Sequence, residues 1–513
     1  MSKAVVVLQD TYFDSVVLMG AASQVKKLPG MVEVAFFMGT EANKVLLGNV
    51  GLRLPEVDAA TPSDTILAVE AEDEAGAAQA LAEAKEVLSG KRKTGQAQQT
   101  LPRSLGGAIR QTEGANLAVI SVPGRYAEAE ALRALTSGLN VFLFSDNVPV
   151  EGEVRLKNEA VRRGLLCMGP DCGTAWINGV GIGFSNAVPR GRVGLISASG
   201  TGAQAVACRL AENGEGLSHC LGVGGRDLSQ EVGGLMTLQA LKMLEADAAT
   251  EAILIISKPP HPAVLAKLEE ALRSVRKPVV VACLGAQPRV EGNVCWVSWL
   301  AEAADTLAAR LRGKTPVCGA ALPEFDDPAA VRAVLEEHAG AAGPLLGVYV
   351  GGTLAHEGEL AVNAQLGETV AFGDEQALAQ GRSVIVDLGD DVFTQGRPHP
   401  MIDPSLRNDY LLRALKAGVG VVLFDVVIGR CSHEDPAGVF AQAIAEAARQ
   451  GLRPVFVGSV VGVEDDAQKL GRQIETLRAA GAIILHNNAQ AARLAALLAS
   501  PQRRAAYLSG ARG

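Results

Sequence analysis

Residues 191–210 read GRVGLISASGTGAQAVACRL. An apolar run closes on Ser, Gly and Thr, and a helical pattern begins at once. That order is the strand–loop–helix grammar of an open α/β sheet. A helix N-terminus carries unpaired backbone N–H groups and the positive end of the peptide dipole. Gly200 and Gly202 let a bound group approach the backbone, and Ser197, Ser199 and Thr201 add hydroxyls. The turn suits a phosphate, a phosphoryl intermediate or a carboxylate. It is not a Walker loop, because no Gly-Lys-Ser/Thr follows, and it is not GxGxxG. A plain strand–helix turn with a serine cap accounts for the same residues equally well.

The rest of the chain frames this turn. A length of 513 residues gives room for about three or four domains. Hydrophobic residues are 48%, aromatics only 4%, and Gly numbers 57, which suits aliphatic sheets joined by glycine-rich loops. The net charge is −9 and no basic stripe is present, so no nucleic-acid partner is expected. The eight cysteines (167, 172, 208, 220, 283, 295, 318 and 431) form no CxxC pair and no zinc spacing, so no metal is expected. The apolar run in MSKAVVVLQD is too short for a signal peptide, and no apolar stretch approaches about 18 residues. The expectation is a cytoplasmic chain with no membrane span.

Along the chain, residues 1–95 read as a small α/β sandwich, ferredoxin-like or ACT-like. Strands are expected at 5–9, 31–38 and 65–71, with helices at 13–28, 40–48 and 74–90. KRKTGQAQQTLPRS (91–104) is polar and aperiodic, a linker or exposed loop. From 105 the pattern is steadily βαβ. Strands apolar throughout are expected of parallel sheets covered on both faces. GKTPVCGAALPEFDDP (313–328) marks a domain change, and 340–500 repeats the style. The expected class is α/β, with several doubly wound parallel-sheet domains.

Other strand ends carry chemistry-bearing residues. VGGRDLSQEVGG (223–234) offers Gly224, Gly225 and Arg226, which could clamp a carboxylate or phosphate, or pair with Asp227 or Glu231 on the surface. GPDCGT (169–174) offers Asp171 and Cys172, the latter more simply a small loop residue than a nucleophile. ISKPPHP (256–262) puts Lys258 after a buried strand, placed to neutralise developing charge or merely solvated. DLGDDVFTQGRPHPMIDP (387–404) crowds Asp390, Asp391, Arg397, His399 and Asp403 into one loop, with His399 stiffened by flanking prolines. FDVVIGRCSHEDP (424–436) reads as a strand ending in Gly429, Arg430 and Cys431 before a helix, a second helix N-terminus for an anion.

GPDCGTAWINGVGIGF, RVGLISASGTGAQAV, CLGVGGRD, ILIISKPP and KPVVVACLGAQP together resemble, in order, the α subunit of succinyl-CoA synthetase. The segment from about 345 to 500, with VVLFDVVIGRCS, resembles the ligase domain of its β subunit. One chain carrying both is similar to the FdrA-type acyl-CoA-synthetase-like proteins. The resemblance implies stacked Rossmann- and flavodoxin-like domains: a CoA-binding-like domain at 105–190, an α-like domain at 191–320 and a β-like ligase domain at 340–500. It also implies two helix N-termini facing one phosphate site, here SASGTG and IGRCS.

Three departures follow from the same comparison. The synthetases phosphorylate a histidine, but AQPRVEGNVCWVS (286–298) holds none, and Lys258 stands about where an acidic partner is expected. The ATP-grasp domain is missing. So is the glycine-rich loop that opens the CoA-binding domain. The resemblance therefore implies a subunit handling an acyl or carbamoyl phosphate. The leading expectation is oxamate carbamoyltransferase, converting oxalurate and phosphate to oxamate and carbamoyl phosphate. The alternatives are an acyl-CoA synthetase borrowing an ATP-grasp partner, and a non-catalytic scaffold. Phosphate or carbamoyl phosphate would be substrate, CoA is left open, and partner subunits with homo-oligomerisation are expected. The expected catalytic residues are Lys258, Arg226, His399 and Arg397. Ser197, Ser199, Gly200, Thr201, Gly202, Gly429, Arg430 and Cys431 would bind phosphate. Asp171, Cys172, Gly224 and Gly225 would bind substrate.

Overall fold

The computed structural model describes residues 1–13, 15–89, 102, 104–314, 319, 322–394 and 398–510. The expected linker at 91–104 falls outside them apart from Pro102 and Ser104, as do Cys318 and Arg397. The chain forms two compact units, Met1–Leu101 and Pro102–Gly513.

In the first unit, β1 (Ser2–Leu8), β2 (Met31–Met38) and β3 (Thr65–Ala71) form an antiparallel sheet in the order β1-β3-β2. β3 thus inserts between two parallel strands, a split βαβ. Leu67 and Val69 pack on α1 (Ser15–Lys26) and α2 (Glu74–Leu88). Ile66 and Ala68, on the opposite face, pack on Leu47, Leu52 and Val57. The unit therefore has three layers rather than the two of a plain sandwich, which is why TILAVEA is apolar on both faces.

The second unit begins with β4 (Leu117–Ile120), β5 (Asn140–Leu143) and β6 (Cys167–Met168), a parallel sheet in that order. α3 (Val150–Arg163) lies between β5 and β6 and stops at Gly164, whose φ of 69° suits glycine. The hairpin β7 (Thr174–Ile177) and β8 (Val180–Gly183) joins the next sheet instead, through Trp176 opposite Cys220. The sheet boundary therefore lies near residue 173, not 190.

That next sheet holds β9 (Arg190–Ser197), β10 (Leu217–Gly222), β11 (Ala252–Ser257), β12 (Val279–Cys283), β13 (Arg289–Glu291) and β14 (Val294–Val297). Its parallel core runs β10-β9-β11-β12-β14, the doubly wound order 2-1-3-4-5. The last sheet is wholly parallel: β15 (Leu345–Tyr349), β16 (Ala371–Phe372), β17 (Val384–Asp387), β18 (Val421–Val427), β19 (Val455–Val461) and β20 (Ile483–Leu485). Apart from the short edge strand β16, its order β17-β15-β18-β19-β20 repeats 2-1-3-4-5. β11, β15 and β18 are buried along their whole length, as strands covered on both faces must be.

The helices α4 (Gly200–Glu212), α5 (Leu300–Leu311), α6 (Gly352–Leu366), α7 (Pro436–Arg449) and α8 (Asn488–Ala499) cover these sheets. One hydrophobic core runs through both, joining Val206 of α4, Leu307 of α5, Leu354 of α6 and Leu494 of α8. Regions 191–320 and 340–500 are therefore not separate bodies, because Ala-rich helix faces bring them close enough to share side chains. Each of those leucines, fully buried, contributes on the order of 2 kcal/mol. Among the described residues no helix is long and apolar enough to cross a membrane.

Candidate active site: two helix ends at a shared crevice

Open α/β sheets bind ligands where the strand order reverses, at the carboxyl ends of the strands. In the sheet of β9 that point lies between β9 and β11, flanked by SASGTG and Lys258. In the last sheet it lies between β15 and β18, flanked by 350–353 and 428–432.

The SASGTG turn is held by its own serines. Ser197 Oγ donates to the Ser199 carbonyl at 2.6 Å and accepts the Ser199 N–H at 3.1 Å. Ser199 is the N-cap of α4, its Oγ accepting the Gly202 N–H at 2.9 Å. Both hydroxyls, expected to bind a ligand, are thus used within the turn. The first helical bond is Ala203 N–H to Ser199 O, so the Gly200 and Thr201 N–H groups have no helical acceptor. Thr174, on the neighbouring hairpin, is 3% exposed, and its hydroxyl has no hydrogen-bond partner among the described residues. That hydroxyl lies 3.1 Å from where a Cβ on Gly200 would stand.

The second helix end is not the one the sequence suggests. Gly429, Arg430 and Cys431 do not open a helix, since α7 begins only at Pro436. Their loop instead packs on residues 185–187: the Arg430 N–H donates to Ser185 O, and Asn186 Nδ2 donates to Ile428 O. It lines a cleft of about 610 Å³ with Ser432, Glu434, Gln468 and Arg472. The helix that meets α4 is α6. A Cβ on Gly351 would lie 2.7 Å from Thr201 Oγ1, and one on Gly202 would lie 3.2 Å from Thr353 Cγ2. Only glycine at 351 permits that approach.

Carboxylates brace the α6 end. Asp425, fully buried in β18, accepts the Val350 N–H at 2.8 Å and the Gly351 N–H at 3.0 Å. Burial pushes its carboxyl up to about 7 against the pull of Arg407, which itself donates to the Asp425 carbonyl. Asp387, at the end of β17, would meet a Cβ on Gly352 at 2.4 Å. Burial raises its carboxyl to about 6, while Lys258 across the crevice pulls it down. His399 is mostly buried and uncharged, its imidazole pushed down to about 4 by burial. Its Nδ1 accepts the Met401 N–H at 3.2 Å, and its ring lies 6.0 Å from that of Phe184. A Cβ on Gly389 would lie 2.7 Å from its Nε2.

Of the expected site residues, the structure brings Gly200, Thr201, Gly202, Lys258 and His399 to the region where α4 meets α6. Arg226 is engaged elsewhere: its Nε pairs with Glu153 at 2.9 Å and its Nη2 donates to Val148 O at 2.8 Å. Neither Asp227 nor Glu231 is its partner. Asp227 is instead buried against Lys157 at 2.8 Å. Gly224 turns at φ 86° against Pro170, and Gly225 is exposed beside it. Asp171 is exposed at φ 55° in the same loop pair. Cys172 is buried, its thiol pushed up to about 12 by burial and donating to the Thr174 carbonyl, which disfavours a thiolate nucleophile. Asp390 caps Val392 and Asp403 caps Ser405, each through its own loop. Nothing in the sequence singles out Thr174 or Thr353, whereas Asp387 ends an apolar strand and Asp425 interrupts one.

The family described as "AllF, heavy metal-associated domain" matches residues 1–103, "CoA binding domain" matches 189–285, and "CoA-ligase" matches 348–498. The chain is 40% identical to the uncharacterized protein YahF of Escherichia coli over 511 residues, covering 96% of this chain and 98% of that one. It is 28% identical over 229 residues to the succinate–CoA ligase [ADP-forming] subunit alpha 2 of Archaeoglobus fulgidus, covering 41% and 76%. The ATP citrate lyase of Methanothrix soehngenii, solved with citrate and coenzyme A, aligns with TM-score 0.32 at 14% identity, covering 78% and 84%.

The residues present do not fit one group these descriptions suggest. Residues 1–103 contain no Cys and no His, so a heavy metal would find neither thiolate nor imidazole there, only methionine thioethers. In the β4–β6 sheet, the helix after β4 begins at Gly124, where a Cβ would lie 2.3 Å from the Asp146 carbonyl oxygen. Only glycine there lets the neighbouring 146–147 loop approach so closely, and the match to "CoA binding domain" lies beyond this sheet, at 189–285.

Proposed function

The chain belongs to the FdrA-type family of acyl-CoA-synthetase-like proteins, and from that premise we propose that it transfers an acyl group by way of an acyl phosphate. The observation that carries this reading is the meeting of the α4 and α6 N-termini, with Thr174 unpaired beside the first. The phosphate of the mixed anhydride binds the Gly200 and Thr201 amides and the Thr174 hydroxyl. Lys258 offsets the charge that gathers on the departing phosphate. The reactants are held in line, so positioning and preorganised dipoles supply most of the rate.

Two acceptors suit this site. The first is a CoA thiol, with a partner chain supplying the ATP-grasp domain; the CoA-binding and CoA-ligase matches support it. The second is an oxamate-like amide, giving the oxalurate–carbamoyl phosphate exchange. Supporting it is the lack of any His at 286–298. The assay uses the chain with its partner subunits. Phosphate-dependent breakdown of oxalurate supports the second acceptor. Labelling of the protein by γ-labelled ATP, followed by CoA-dependent release, supports the first. A complete complex that does neither contradicts the proposal.

A further inference from the structure

Asp387 closes β17 with its two carboxylate oxygens in different circumstances. Oδ1 accepts the Gly389 N–H at 2.9 Å, and Oδ2 receives no hydrogen bond among the described residues. Oδ2 is the atom that a Cβ at 352 would meet, so it stands against the first residue of α6. One residue earlier, Gly351 faces Thr201 of α4. The charged and titratable groups around it come from four places: Lys258 after β11, Asp390 in its own loop, Asp425 in β18, and His399 by way of Gly389. Asp387 is not sealed in the core but partly open to the crevice.

A carboxylate at a helix N-terminus ordinarily complements the dipole and titrates low. Asp387 goes the other way, because burial outweighs the Gly389 bond and Lys258. Such a group is ionised at neutral pH yet close enough to its titration to accept a proton readily.

Resting on the acyl-phosphate reading, we propose that Asp387 is the general base of the transfer. The acceptor, written X–H, attacks the carbonyl carbon of the acyl phosphate. The C–X bond forms as the C–O bond to phosphorus breaks, and that electron pair leaves with the phosphate. The proton of X–H passes to Oδ2 of Asp387. It then returns to solvent or to the departing phosphate before the next turnover.

The test begins with an anion that does not itself titrate near neutrality. Binding of inorganic sulfate to the full chain is measured by calorimetry at about pH 5 and about pH 8. Wild-type affinity falls several-fold as Asp387 ionises beside the site. The fall shrinks in Asp387→Asn to the part that Asp425 contributes and persists in full in Asp387→Glu. In the complex with its partner subunits, Asp387→Asn lowers kcat by roughly 10²–10³-fold and removes the acid limb of the pH–rate profile, and Asp387→Glu restores part of the rate. A pH dependence undiminished in Asp387→Asn, or kcat within about threefold of wild type, overturns the base while leaving the anion site standing. Failure of the wild type to bind sulfate at either pH overturns the acyl-phosphate site, and the base with it.

Discussion

Thr174 has the most specific task of any side chain in the crevice. Its hydroxyl is buried at the mouth of α4 without a partner among the described residues, and an unmet hydroxyl there is a cost to the folded state. Thr174→Val keeps the shape and removes the hydroxyl. Phosphate affinity is expected to fall about tenfold, the worth of one bond to a charged group, with the melting temperature held or raised. Calorimetric titration beside a thermal scan checks both. A lower melting temperature with unchanged phosphate binding would make the hydroxyl structural. Thr174 does not stand out in the sequence, and Asp387 does so only as the last residue of an apolar strand. A threonine in a hairpin and an aspartate at a strand end become site residues only through partners far along the chain. Arg226 misled for the same reason: its partner, Glu153, lies in α3, whereas the nearby acids Asp227 and Glu231 suggested a free surface pair.

At the scale of elements, the close approach of α4 and α6 rests on glycine. Gly351→Ala places a methyl 2.7 Å from Thr201 Oγ1, a clash expected to cost about 1–3 kcal/mol and to separate the helix ends. Chemical denaturation gives the stability, and phosphate titration gives the function; a variant unchanged in both refutes the contact. The far end of α4 is tied by His486, which bonds Asp326 at 2.6 Å and pairs with Glu212 at 3.1 Å. Those carboxylates raise its imidazole to about 9 from 6.5. A raised folded value means the stabilisation is fully present below the unfolded pKa near 6.5 and lost as pH rises through about 9. Between those limits the wild type should lose more thermal stability than His486→Gln, as melting curves across that range would show. Equal losses would dismiss the network. Most strands were legible, because apolar runs such as ILIIS and VVLFDVV can be nothing else. The α6 end was not, because LLGVYVGG reads as a strand and conceals the turn after it. IGRCS drew attention because Gly–Arg–Cys resembles a helix entry, yet the chain runs on to Pro436 before α7 begins.

At the scale of the whole molecule, two sheets with the same 2-1-3-4-5 order share one hydrophobic core. The repeated grammar of the two halves was visible in sequence. Their fusion was not, since it depends on Ala faces of α4, α5, α6 and α8 whose partners periodicity does not name. A change deep in that shared core is therefore expected to act on both halves: Leu354→Ala should cost about 2–5 kcal/mol and abolish phosphate binding together with cooperative melting.

The measurement that bears most directly on the junction of helix ends is calorimetric titration of the intact chain with inorganic phosphate, wild type against Gly200→Val. Valine fills the space before the Gly200 and Thr201 amides, with its Cβ 3.1 Å from the Thr174 hydroxyl. The wild type is expected to bind a single phosphate, and the variant, still melting cooperatively, to bind it at least about tenfold more weakly. Equal affinity in the two proteins would contradict this.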